Sequence, residues 1–178
     1  MNNGRWIGLL LVFSLTVGFA QLTVGDMAPD WAFPDADGTM FTMDNWPGKI
    51  LQINYVDPDE SELNEPFNDA VKYAIDSLKI IERETFKGFG IVDCAATWKP
   101  DFLIRKIAGG KAKKFDTTIL FDYDAVLRNA WGLKEDSYNI IIVDMDRVVR
   151  AVIKDKIRDE DIQKYIQLII DLQNSSTM

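Results

Sequence analysis

The sequence contains no histidine and a single cysteine, Cys94. The first absence removes Ser-His and Cys-His nucleophile arrangements and the commonest zinc ligand. The second excludes an internal disulfide, so the one thiol is either buried or used. Bases are also in short supply: 20 Lys and Arg stand against 28 Asp and Glu, a net charge of −8. Nucleic acid is excluded as a partner on this ground, because phosphate binding needs a basic face. The one basic cluster, Arg105, Lys106, Lys111, Lys113 and Lys114, reads as the solvated end of a helix, where cations suit the macrodipole. No Gly/Ser/Pro linker and no internal repeat divides the chain, which implies one domain.

The N-terminus does carry an apolar run. Arg5 supplies one positive charge, residues 6–17 are mostly apolar, and Gly18-Phe19-Ala20 ends the run with small residues at the positions a signal peptidase reads. This charged, apolar, small-residue order predicts a secretory signal over residues 1–20, cut after Ala20. A spanning helix needs about 20 apolar residues, which this run does not reach before Gly18. Gln21, not cysteine, follows the cut, so no lipid anchor is indicated. Residues 21–178 are then expected as one exported domain, periplasmic or secreted, with no membrane span after cleavage.

Along that domain, Asp37-Gly38 predicts a tight turn between two short strands, the second covering Thr39–Met43. Ile50–Val56 is an apolar run of strand length. Phe67, Val71, Ala74, Ile75, Leu78 and Ile81 recur at helical spacing, behind the acidic segment Asp57–Glu62. Gly88–Cys94 predicts a buried strand. Pro100-Asp101 opens a second helix expected to stop at Gly109-Gly110. Further strands are expected at Thr117–Phe121, Asn139–Val143 and Val148–Ile153, with a short helix over Ala125–Trp131 and a last helix after Arg158. Buried strands alternating with helices require a largely parallel sheet covered on both faces, and the closing hairpin must add antiparallel strands at an edge. The order predicts an α/β protein, a thioredoxin-like three-layer α/β/α sandwich with a mixed sheet and an N-terminal β extension. A flavodoxin-like sheet would end in parallel βα units instead.

The run Gly25-Asp26-x-Ala28-Pro29-x-Trp31, then Asp37-Gly38, Gly48-Lys49 and the strand Ile50–Tyr55 resembles the opening of peroxiredoxins and thiol-disulfide reductases. Ile91-Val92-Asp93, the Trp98–Lys114 segment and Ala130-Trp131-Gly132-Leu133-Lys134-Glu135-Asp136-Ser137 before Ile140–Asp144 resemble, more closely, the YtfJ family of bacterial exported thioredoxin-like proteins. The resemblance covers nearly the whole mature chain and implies a fold and an address, but no reaction. It also implies where reactive cysteines would stand: at the end of the 50–56 strand and the start of the following helix, whose N-terminus would stabilise a thiolate. Here those positions read Val56-Asp57-Pro58-Asp59-Glu60-Ser61, with no sulfur. The proline that thioredoxins place before the hairpin is missing too, its stretch being Ser137-Tyr138-Asn139.

Candidate chemistry is therefore sparse. Cys94 ends a strand expected beside Ile50–Tyr55, which puts it at the sheet edge where open α/β sheets place their sites. It reads either as a lone reactive thiol near Trp98 or Lys99, or as a small buried hydrophobe. Asp57, Asp59, Glu60, Ser61 and Glu62 begin like an oxygen-ligand calcium loop. Glu62 occupies the glycine position, however, and Asn68 the closing glutamate, so helix-start carboxylates account for the run and no metal is assigned. The pairs Asp35/Asp37, Asp122/Asp124 and Asp144/Asp146 fall where strands meet turns and read as turn chemistry. Gly109-Gly110-Lys111 lacks the spacing of a phosphate loop. Trp31, Trp46, Trp98 and Trp131 are expected to pack in the core and its rim, whereas an exposed cluster near Asp57 would mark a peptide-binding surface. The binding candidates are Asp57, Asp59, Glu60, Ser61, Trp98 and Tyr138. The expected function is a non-catalytic binding or accessory protein of the envelope, without cofactor, holding an extended peptide or another exported protein. The enzymatic alternative is a single-cysteine thiol oxidoreductase using Cys94.

Overall fold

A computed structural model describes residues 21–175; the expected signal lies outside these residues. A two-stranded hairpin comes first, β1 (Phe33–Pro34) and β2 (Met40–Phe41). Its turn is closed by Asp35, whose Oδ1 accepts from the N–H groups of Asp37 and Thr39, both at 2.9 Å. Gly38 supplies the left-handed backbone there, at φ 87°. The segment predicted as one strand over 39–43 is shorter, because Thr42 caps a 3₁₀ turn at Met43–Asn45.

The main sheet has five strands in the order β5-β4-β3-β6-β7. β3 (Ile50–Val56), β4 (Phe86–Asp93) and β5 (Ile119–Asp122) run parallel. β6 (Tyr138–Val143) pairs antiparallel with β3, and β7 (Val149–Ile153) pairs antiparallel with β6. The fold is thus thioredoxin-like, with a mixed sheet and closing hairpin where the sequence predicts them.

Each face of this sheet carries its own core, since successive strand residues point to opposite sides. Leu51, Ile53, Phe89, Ile91, Ile141 and Val143 meet Trp31, Phe33 and Trp131 on one face. That face is covered by the N-terminal segment and helix α3 (Val126–Trp131). Ile50, Phe86, Ile140 and Ile142 meet Phe67, Val71, Ile166 and Ile169 on the other. Those partners come from α1 (Glu65–Asp76) and α4 (Ile162–Ser175). A third cluster, Val92, Cys94, Ile104, Ala108 and Phe121, lies under α2 (Asp101–Phe115).

Two helix ends differ from the sequence prediction. α1 stops at Asp76, not near Ile81: Lys79 turns left-handed at φ 54° and the Ile80 N–H returns to the Ala74 carbonyl at 3.0 Å. Leu78 is left exposed, while Ile81 folds back into the core. α2 runs through Gly109-Gly110 and ends instead at Asp116, left-handed at φ 50°. The reason at Gly109 is space. A Cβ there would stand 2.9 Å from the Cβ of Ala36, so this glycine lets the N-terminal hairpin approach the helix.

Candidate functional site

The junction between β3 and α1 is built by Asp57. Its backbone N–H donates to the Ser137 carbonyl at 3.0 Å, and its Oδ1 accepts from the Asp59 N–H at 2.8 Å. The side chain caps a 3₁₀ turn at Pro58–Glu60 and is buried. Burial pushes the Asp57 carboxyl above its usual range, aided by neighbouring Asp59, Asp136 and Glu60 and opposed by the Asp59 N–H. Asp59 behaves oppositely. Hydrogen bonds from Lys99 and Thr97 hold it below the usual carboxylate range, Thr97 Oγ1 donating at 2.8 Å and Lys99 forming an ion pair. Glu60 is half-buried, and Ser61 Oγ accepts from Lys111 Nζ at 3.4 Å.

The Asp59 contacts tether the loop after β4 to the β3–α1 junction. Trp98 sits between the two tethering residues and is 87% exposed. The expectation of core or rim packing fails for this tryptophan. Thr97 and Lys99 turn toward Asp59, and the indole is left in solvent. Trp31 and Trp131 are buried and Trp46 stacks on Phe89 at 4.4 Å.

Cys94 lies one residue beyond β4, opening a 3₁₀ turn at Cys94–Ala96. It is 4% exposed and belongs to the cluster beneath α2, none of whose members comes from the 57–61 segment. Burial pushes the thiol up to about 12, and the carboxylates of Asp101, Asp93 and Asp122 add to the shift. A thiol in this state is neutral at physiological pH and a poor nucleophile.

Tyr138, the first residue of β6, is buried opposite Val56. It leads to a feature that sequence reasoning missed. Between α1 and α2 a cleft of about 1010 Å³ opens over β3 and β4, its lining reaching Ser61 and Lys99 at the junction. Gln52, Asn54, Gly88 and Gly90 line it from the sheet, and Asn68 from α1. Gln52 Nε2 donates to Asn54 Oδ1 at 3.1 Å and to Asn68 Oδ1 at 2.9 Å; Asn68 Nδ2 donates to Tyr138 Oη at 2.8 Å. The signal for it was present: two amides at alternate positions of an otherwise apolar strand, paired in register with two glycines. Among the described residues no group of three or more His, Cys, Asp or Glu is arranged to hold a metal ion.

A family model described as a bacterial protein of unknown function, YtfJ_HI0045, matches residues 39–172. The chain belongs to this family. Among curated proteins there is no match. Solved structures similar to this YtfJ-family chain are thioredoxin-like. One, assigned as a thiol:disulfide interchange protein DsbE from Chlorobium tepidum, is 18% identical with a TM-score of 0.61, over 85% of this chain and 99% of that one. The exposed lipoprotein thioredoxin of Streptococcus pneumoniae is 13% identical with a TM-score of 0.60, over 79% and 99%. The thioredoxin domain of a thiol-disulfide oxidoreductase from Bacteroides vulgatus is 16% identical with a TM-score of 0.60, over 84% and 99%. At these identities the likeness concerns the fold. This family member keeps that fold with a single cysteine and no Cys-x-x-Cys pair.

Proposed function

We propose that this chain is an exported, non-catalytic binding or accessory protein of the cell envelope. The thioredoxin groove at the β3–α1 junction takes an extended segment of a peptide or of another exported protein. One observation carries the reading: the junction holds Asp57–Ser61, locked by Asp59 to Thr97 and Lys99, while Cys94 is buried beneath α2. The exposed indole of Trp98 beside that lock suits a docking surface, since tryptophan combines a large apolar area with little rotamer entropy to lose. The charged, apolar, small-residue order of residues 1–20 supports export.

Insulin-disulfide reduction by dithiothreitol tests the non-catalytic part. The protein is expected to leave the rate at its uncatalysed value; an acceleration that Cys94→Ser abolishes would establish an oxidoreductase instead. Fractionation of the producing cell tests export, the expected result being an envelope protein whose first residue is Gln21.

A further inference from the structure

We propose that the cleft between α1 and α2 binds a short peptide bearing charges of both signs, held on the floor through a backbone amide. The proposal rests on the binding-protein reading and names its ligand class.

The floor is a hydrogen-bond chain with an unmatched polar group at each end. Gln52 is 2% exposed and spends its amide N–H groups on Asn54 and Asn68, yet its buried Oε1 receives no donor among the described residues. At the other end, Tyr138 Oη accepts from Asn68 while its own hydrogen meets no acceptor among the described residues. One side chain, Asn68, separates the unmatched acceptor from the unmatched donor. A buried polar group left unmade in this way is costly until a ligand or water completes it. A carboxylate or phosphate has no N–H for Gln52, and an ammonium has no acceptor for Tyr138. A peptide amide offers both.

The glycines of β4 point the same way. At Gly88 an added Cβ would meet only the Phe86 ring at 3.6 Å, and at Gly90 the Ile119 side chain at 3.8 Å. Both are ordinary contacts, and neither residue has a left-handed backbone. Packing therefore does not require glycine here, and a glycine inside a strand weakens it. Such a glycine marks a bulge, a tight bend, or the close approach of a ligand or another backbone, and the strand register is unbroken at both positions.

The walls set the charge. Lys111 and Lys114 on the α2 side have no carboxylate partner among the described residues; Lys111 reaches Ser61 and Lys114 lies over Phe115. Glu62, Glu65 and Asp69 on the α1 side pair with no cation among the described residues. Opposed walls of opposite sign that do not pair with each other suit a ligand carrying both charges.

The test uses three blocked pentapeptides: acetyl-Glu-Ala-Leu-Ala-Lys-amide, its all-acidic analogue ending in Glu, and a neutral analogue with Gln at both ends. NMR follows the side-chain amide signals of Gln52, Asn54 and Asn68. The mixed-charge peptide is expected to shift all three signals. The double variant Lys111→Glu/Lys114→Glu, whose exposed sites leave the fold intact by circular dichroism although acids suit the end of α2 less well than lysines, should weaken its binding by about tenfold. The assignment is overturned by an absence of shifts at millimolar peptide, by equal binding of all three peptides, or by a double variant that binds as before. A protein that reduces insulin yet still binds the peptide sinks the non-catalytic reading and leaves the cleft assignment; an inert protein indifferent to all three does the reverse.

Discussion

Three aspartates perform one local task at three places in the chain. Asp35, Asp122 and Asp144 each use Oδ1 to accept the N–H two residues on and the N–H four residues on, at 2.9 to 3.3 Å. The Asp-x-Asp pairs are therefore turn-formers, as their positions between strands and turns predict. Asp122 does more than the others: its Oδ2 also accepts from the Leu127 N–H at 2.8 Å and the Tyr55 hydroxyl at 3.0 Å, so it starts α3 and ties β5 to β3. Asp122→Ala strands these donors, and urea unfolding is expected to show a loss of about 3 kcal/mol. At Cys94 the folded thiol is raised from 9.0 to about 12. The folded state thus favours the neutral thiol. That contribution is complete below the unfolded value and is lost as pH climbs through the interval up to about 12. At neutral pH iodoacetamide is expected to leave native Cys94 unmodified and to label it once urea is added. Labelling of the native protein at the rate of a free thiol would contradict the burial.

At the scale of elements, α2 shows how one glycine pair can mislead. Gly-Gly ordinarily ends a helix, since glycine suits the left-handed cap. Here Gly109 faces Ala36 with 2.9 Å of room for a Cβ, and Gly110 faces nothing within 4 Å. The two positions should respond in opposite directions to the same change. Gly110→Ala is expected to stabilise the protein by about 1 kcal/mol through helix propensity alone. Gly109→Ala gains the same propensity but must push the hairpin aside, giving a net loss of about 1 kcal/mol. Thermal unfolding of the pair checks both signs. The end of α1 followed similar logic: helical spacing continues to Ile81, but Lys79 adopts the left-handed conformation that glycine or asparagine usually fills, so no residue type marked the stop.

For the whole molecule, the central fact is that β3 and β6 serve two cores at once. Ile141 belongs to the core beneath the N-terminal segment, and Ile142, its neighbour, to the core beneath α1 and α4; both are fully buried. Loss of either side chain removes support from the same two strands. Ile141→Ala and Ile142→Ala are each expected to cost about 3 kcal/mol. Each should also move a single cooperative transition, seen at the same urea concentration by tryptophan fluorescence and by circular dichroism. Two separated transitions in either variant would mean that the faces unfold independently.

The order of strands and helices, the closing hairpin, the turn aspartates and the missing sulfur at the β3–α1 junction were all determined by the sequence, because each depends on local spacing or on residue identity. The tertiary structure decided the rest. Whether Cys94 is buried depends on where α2 lies, since Ile104 and Ala108 of that helix pack against it, and no local pattern encodes that placement. The exposure of Trp98 follows from two neighbours turning toward Asp59, a residue 39 positions earlier in the chain. The amide floor exists only because Gln52 and Asn68, 16 residues apart, are brought together when α1 crosses the sheet. Contacts of that range are set by packing, and packing is a property of the assembled layers.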